Sequence, residues 1–469
     1  MGRSRMRRPS RVRKAASWLA SIALVASAPV LVEGTAAADT GHAPKTPIQH
    51  LVFLTQENHT FDNYFGTRPG VDGIPPNTCM PVNPGKPTPC IKPFHITDKG
   101  NTDPDHTGKD FNAQYDNGQM DGFVSMYTAE GEDGSGVMAY YDASDLPYYW
   151  NIADNYVLFD HFFSSARDGS PPNHMFEVTA TNGFPIGSTD IPPGGWGNLP
   201  TIFDRLEAAG VSWKFYVENY NPAINFRTPA ANDQAQLIWV PLLGYARYLD
   251  SPELMSHIVD LSQYYKDAAA GTLPAVAYIE PSGDSEHPPG RVQSGETLVR
   301  GLLSSLMRST DWSSSAFLWT YDDWGGYYDH VKPPQVDKYG YGFRVPALAV
   351  GPYAKKDFVD STQLDFTSVL KFIEYNWSVA PLSTRDAQAN NILTAFDFNA
   401  PPRAPALIGA DRGTTTTPRP HTSAIYLTFG ATAGLVLLLT VIALLLGHRR
   451  RKVEEPALEP VGSSSGPVL

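Results

Sequence analysis

Residues 316–321, AFLWTY, form a short run that is apolar or aromatic at every position but Thr320 and ends on two adjacent carboxylates, Asp322 and Asp323, with Gly325-Gly326 just beyond. A run this short is a buried strand rather than a helix, and the paired glycines turn the chain at once. The two acids therefore stand at a strand's C-terminal end. In open α/β sheets that edge is where ligands bind, so a carboxylate pair there reads as a metal or catalytic site. An exposed acidic turn has the same local sequence, so other segments must decide between the two.

The pattern recurs. Residues 48–55, IQHLVFLT, run into Gln56, Glu57, Asn58 and His59, and residues 275–279 run into Glu280 and then Asp284, Glu286 and His287. Further strand-like runs cover 156–159, 211–217 and 345–350. Between them lie helix-like stretches: 201–209 with Gly210 as its cap, the amphipathic 298–307, and 366–375 begun by Asp365. Strands alternating with helices predict an α/β fold with a mostly parallel central sheet and helices on both faces. Residues 66–122 are dominated by Pro, Gly, Asn, Asp and Thr, which predicts a long irregular excursion carrying His95 and His106. Cys79 and Cys90, the chain's two cysteines, lie close together in it and predict one local disulfide.

The two ends carry signals of their own. Arginines and a lysine crowd the first fourteen residues, and an apolar run over 18–32 and the small residues Ala36-Ala37-Ala38 follow; this predicts an export signal over 1–38. Arg7-Arg8 leaves the twin-arginine and general routes both open. Residues 424–447 are uncharged and apolar, longer than the about 20 residues needed to cross a bilayer. Arg449, Arg450, Arg451 and Lys452 follow, so the positive-inside rule makes 448–469 a cytoplasmic tail and ranks a glycolipid-anchor signal lower. The expected organisation is a domain over 39–400 on the extracellular face, a Pro/Thr-rich stalk over 401–423, and a single transmembrane helix in the cell membrane. Without the two ends the chain keeps 25 basic and 44 acidic residues, so the outer body carries −19 where the whole chain carries −12. Such a body argues against nucleic acid as a partner and for bound cations.

Residues 168–173, DGSPPN, set Ser170 between Gly169 and Pro171 on a sharp turn, which holds the hydroxyl away from ordinary helix pairing and makes it the candidate nucleophile. No G-x-x-x-x-G-K-[ST] loop, G-x-G-x-x-G or C-x-x-C is present, so nucleotide and thiolate-metal readings lose their support. Glu57, Asn58, Ser170, His287, Asp322, Asp323 and His330 thus come from separate strand ends and turns. Each alone has an ordinary structural reading; the set does not. Oxygen ligands with one amide suit a divalent cation, a hydroxyl beside that cation becomes nucleophilic, and histidines bind or protonate a phosphate. Phosphate-ester cleavage is the chemistry such a set supports.

These segments resemble the bacterial phosphoesterase family that holds phospholipases C and related acid phosphatases, within the alkaline-phosphatase-like superfamily. The resemblance spans about residues 46 to 380 and rests on ENHTFDNYFG from Glu57, DNGQMDGF from Asp116, DGSPPNHMF from Asp168, EHPPG from Glu286, TYDDWGGYYDHV from Thr320 and GFRVPALAVGPYA from Gly342. It implies an alkaline-phosphatase-like fold and a divalent metal ion, of unspecified identity, held by Glu57, Asn58, Ser170, Asp322 and Asp323. It also implies Ser170 as nucleophile, with His106, His287 and His330 facing the phosphate or the leaving group. His59 and His174 stand where phospholipase members usually carry Arg, and Thr107 departs from an expected Ser or Trp. Arg grips phosphate in a bidentate fork and His does not, so phospholipid is less secure as substrate than phosphate ester in general. The expectation is an exported, membrane-anchored, metal-dependent phosphoesterase of phospholipase C type. Its alternatives are an acid phosphatase acting on phosphomonoesters and a surface binding protein without turnover on the same scaffold.

Overall fold

The computed structural model describes residues 42–83, 85–96, 102–184, 191–228 and 235–412. An eight-stranded sheet forms its centre, made in chain order of β1 (His50–Gln56), β2 (Val157–Phe159), β3 (Trp213–Val217), β4 (Ile258–Asp260), β5 (Val276–Glu280), β6 (Ser315–Tyr321), β7 (Ala347–Val350) and β8 (Phe358–Asp360). Their spatial order is β8-β2-β7-β6-β1-β5-β3-β4. Every pairing is parallel except the two made by β7. The helices used below are α1 (Phe61–Phe65), α2 (Gly108–Tyr115), α3 (Ser170–Thr179), α4 (Ile202–Ala209), α5 (Ser262–Ala270), α6 (Val292–Arg308) and α7 (Phe366–Trp377).

Every residue of β6 is buried, and so is every residue of β1 after His50. Strands apolar on both faces need a covering layer on each. Side-chain alternation shows both layers: Trp213 and Phe215 of β3 touch Phe203 of α4, whereas Tyr216, pointing the other way, touches Tyr264 of α5. Helix α6 joins α5 on that second face, where the Tyr264 hydroxyl donates to Leu302 O at 3.2 Å. The mostly parallel α/β sheet expected from the sequence is therefore present. Its six expected strands all occur, each within two residues of the observed bounds.

Some local expectations change. The short edge strands β4 and β8 gave no sequence signal: each ends in Asp after two apolar residues, whereas β2, just as short, is apolar throughout. The excursion after Gly66 is not irregular throughout. It holds a hairpin of Met80–Asn83 with Lys86–Ile91, clasped by the Cys79–Cys90 disulfide, and then α2. Pro81, Pro87 and Pro89 disguised the hairpin, since proline is tolerated only in edge strands like these. Residues 401–412 lack helix and strand but run along the body rather than away from it: Arg403 Nη1 donates to Asn155 O at 3.0 Å and Arg412 pairs with Asp154 at 2.6 Å. The expected signal over 1–38 and transmembrane segment over 424–447 lie outside the described residues. Among the described residues no helix is long and apolar enough to cross a membrane.

Candidate active site

The register of β1 with β6 creates the site. Gln56 is paired with Tyr321, so Glu57-Asn58 and Asp322-Asp323 leave neighbouring strand ends side by side. All four are at most 1% exposed. Asn58 takes a left-handed φ of 65°, which asparagine tolerates better than most residues, and its N–H donates to Asp322 Oδ1 at 3.0 Å. The turn after β6 is packed against it: Gly325, at φ 58°, is so close that a Cβ there would sit 2.1 Å from Asn58 O.

Ser170 is not held in a loop as expected; it is the first residue of α3, with Gly169 as the cap. Pro171 and Pro172 fit because the first turn of a helix has no partner for their missing N–H groups. Asn173 fixes the approach. Its Oδ1 accepts from Ala166 N at 2.8 Å, while its Nδ2 donates to Asp168 O at 2.8 Å and Gly169 O at 3.0 Å. Asp168 in turn accepts from Gly108 N at 2.7 Å, tying this loop to the start of α2 and so to His106. Asn173 was visible only as part of a motif, because what it binds is backbone that the sequence does not name.

The Ser170 hydroxyl lies 3.2 Å from Asp323 Oδ2 and 3.5 Å from Glu57 Oε2. The five expected metal-side residues are thus brought together. Burial, and next the Glu57 charge, push the Asp322 carboxyl up to about 6, and burial with the Asp322 charge pushes Asp323 well above the usual carboxylate range. Carboxylates packed this way are costly unless a cation joins them.

The Asn58 amide tests that fit. One end lies 2.9 Å from His106 Nε2 and 3.0 Å from His287 Nε2, and the other lies 3.1 Å from Glu57 Oε2 and 2.9 Å from Asp322 Oδ1. His106 Nδ1 is 2.7 Å from Pro104 O, and His287 Nδ1 is 2.7 Å from Pro288 O. Each ring donates there, so in its neutral form it presents a bare Nε2 to the amide N–H groups. Asn58 Oδ1 is then aimed among carboxylate oxygens, an arrangement that a divalent cation satisfies. Turned the other way, the amide serves the carboxylates and requires both rings protonated. The donor set therefore fits a divalent cation.

His106 and His287 stand together, with ring centroids 5.9 Å apart. Burial opposes the His287 imidazolium, but the Glu57 charge, the Pro288 carbonyl and the Asp103 and Asp322 charges outweigh it and raise its pKa above 6.5. His330 is held elsewhere. Its Nδ1 is 2.7 Å from Asp62 Oδ2, its Nε2 is 3.2 Å from Asp72 Oδ1, and the Arg344 guanidinium adjoins it at 3.2 Å. These contacts hold it away from the Ser170 group, because the Gly325-Gly326 turn has already carried the chain to α1. His59, fully buried, is bound by Asn63 at 2.8 Å and Glu286 O at 3.1 Å, and burial first of all lowers its pKa to about 4.

Glu286 was passed over in the sequence as one acid among several. Its carboxylate receives the hydroxyls of Tyr64 at 2.5 Å and Tyr321 at 2.7 Å, and also that of Tyr149. Burial pushes this carboxyl up to about 8, against those hydrogen bonds. The three tyrosines come from three distant segments, so no local motif could show their convergence.

Comparison with known proteins fits this geometry. The family model described as the phosphoesterase family matches residues 48–380. A non-hemolytic phospholipase C of Pseudomonas aeruginosa is 27% identical, covering 85% of this chain and 64% of that one. Phospholipase C A of Mycobacterium tuberculosis is 29% identical, covering 76% of this chain and 79% of that one. A non-hemolytic phospholipase C of Burkholderia pseudomallei, also 29% identical, is covered over 59% of its length, so this chain spans less than two thirds of two of these relatives. A Vibrio parahaemolyticus protein of the alkaline phosphatase superfamily aligns at a TM-score of 0.37 and 13% identity over 76% of this chain and 72% of that one, a likeness too distant to add to the fold described above.

Proposed function

The chain belongs to the phosphoesterase family, and from that membership we propose that it is a phosphoric ester hydrolase of phospholipase C type with Ser170 as its nucleophile. The observation that carries this reading is the placement of the Ser170 hydroxyl within 3.5 Å of both Asp323 and Glu57 at the ends of adjacent strands. A divalent cation held by Glu57, Asn58, Asp322 and Asp323 beside Ser170 would polarise the phosphoryl group and lower the hydroxyl's pKa. Ser170 Oγ passes its proton to Asp323 Oδ2 and bonds to phosphorus as the bond to the leaving oxygen breaks. That oxygen takes a proton from Nε2 of His106 or His287; the ring that gives it has first taken up a proton and released the Asn58 N–H its bare Nε2 accepted, and it ends as a neutral ring. Water then attacks phosphorus, the P–Oγ bond breaks, and the protons return to the histidine and to Ser170. His330, committed to Asp62 and Asp72, has no part in this sequence.

Phospholipid is the substrate proposed, on the strength of relatives named phospholipase C. Turnover of a phosphocholine diester by the purified chain, abolished by chelator and restored by added metal, supports it. Cleavage of a chromogenic monoester alone would instead favour an acid phosphatase, and metal binding with no turnover a surface binding protein. Export through residues 1–38 and anchoring through 424–447 complete the proposal, and the Cys79–Cys90 disulfide supports an oxidising compartment. Activity on intact cells that is lost to external protease would bear this out; activity only after lysis would overturn it.

A further inference from the structure

Beneath the site just described lies a second cluster, sealed from solvent. His174, one turn along α3 from Ser170, and Glu177, nearly a turn further, face Glu280, the last residue of β5; none is more than 1% exposed. His174 Nε2 lies 3.2 Å from Glu57 Oε1, and His174 Nδ1 lies 3.5 Å from Glu177 Oε2 and 4.0 Å from Glu280 Oε1.

The Nε2–H bond to Glu57 leaves Nδ1 pointed between two carboxylates, a position that a proton or a cation satisfies. Nδ1 has no hydrogen-bond partner, and neither have Glu177 Oε1 and Glu280 Oε2, all of them buried. Separations of 3.5 and 4.0 Å are too long for good hydrogen bonds. The 3.5 Å separation suits atoms that share one ion, because ligands about 2.0–2.2 Å from a tetrahedral centre stand roughly 3.3–3.6 Å from each other, and the Glu280 oxygen at 4.0 Å would close in by a few tenths of an ångström on binding. A ring that ligates through one nitrogen and donates from the other to a carboxylate is also the usual state of a metal-bound histidine.

The charge count points the same way. Among the described residues, no lysine or arginine forms an ion pair with Glu57, Glu177, Glu280, Asp322 or Asp323. One divalent cation beside Ser170 leaves most of that buried negative charge unmatched, and a second nearly balances it.

We propose that His174, Glu177 and Glu280 form an inner site for a borderline divalent cation such as Zn2+, bound through Nδ1 and the two carboxylates. Glu57 couples it to the outer site, accepting from His174 at Oε1 while Oε2 faces Ser170. This goes beyond the hydrolase reading and does not depend on it.

Metal content of the purified full chain, measured by plasma mass spectrometry against protein concentration, tests the inference. Two divalent equivalents per chain are expected, falling to one in Glu177→Gln/Glu280→Gln and to one in Asp323→Asn. A single equivalent that survives in the double variant and is lost in Asp323→Asn overturns the inner site and leaves the proposed function standing. A single equivalent with the reverse pattern upholds the inner site and overturns the outer one. No metal in the wild type overturns both. Should the double variant fail to fold, anomalous diffraction from wild-type crystals decides: a peak between His174 Nδ1, Glu177 and Glu280 supports the inner site, and its absence beside an outer peak overturns it.

Discussion

Ser170 and Glu286 show how differently single residues can depend on their surroundings. Ser170 is half-buried and surrounded by acceptors, so Ser170→Ala removes the attacking oxygen and little packing. Steady-state kinetics on a phosphocholine diester should show a fall in kcat of at least ~10³-fold with metal content unchanged. Glu286 acts on stability. Folded, it keeps its proton up to about pH 8, while its ordinary pKa is 4.5. Between those values the folded chain binds more protons than the unfolded one. Its contribution is therefore fully present below about 4.5 and is lost as pH rises towards 8, by up to about 1.4 kcal/mol per pH unit. Glu286→Gln should flatten that slope, seen as urea midpoints at pH 5 and pH 8 lying closer together than in the wild type. Glu57, Asn58, Asp322 and Asp323 were legible in the sequence because each stands just past a strand. His330 looked equivalent because it shares a motif with Asp322, and only the path of the turn between them shows that it belongs to Arg344 and Asp62 instead.

At the level of elements, the site depends on how β1, β6 and α3 end or begin. The turn after β6 leaves no room beside Asn58, and Gly325 holds a positive φ that suits glycine. Gly325→Ala should displace the Asn58 carbonyl, cost about 2 kcal/mol or more of stability, and weaken cation binding, measured by calorimetric titration of metal into the stripped protein. A variant that binds metal as tightly as the wild type would show that the turn does not set the ligand geometry. The strands were legible from their apolar runs and their polar ends. The start of α3 was not, because Pro171-Pro172 reads as a loop until one sees that both sit in the first turn, where a helix accepts them. The hairpin bridged by Cys79 and Cys90 was hidden by prolines in the same way.

For the molecule as a whole, charge should govern how it meets a lipid surface. Residues 39–447 carry 25 basic against 44 acidic residues, so an anionic bilayer repels them. Raising ionic strength from about 10 to 150 mM shortens the Debye length to about 8 Å. It should therefore speed turnover on anionic vesicles several-fold and leave zwitterionic vesicles nearly unchanged, as followed by release of the phosphorylated head group. Fold class was legible at this scale because alternation of strands and helices is a property of the whole chain. The path of residues 401–412 was not, since composition says nothing of what Arg403 and Arg412 will grip. The pairing of β1 with β6 has a consequence in time. Glu57 leaves the ribosome early and Asp322 much later, and the two become neighbours only when β6 docks along β1. A nascent chain that stops short of β6 cannot bring Glu57 and Asp322 together, so a product truncated there lacks the site altogether.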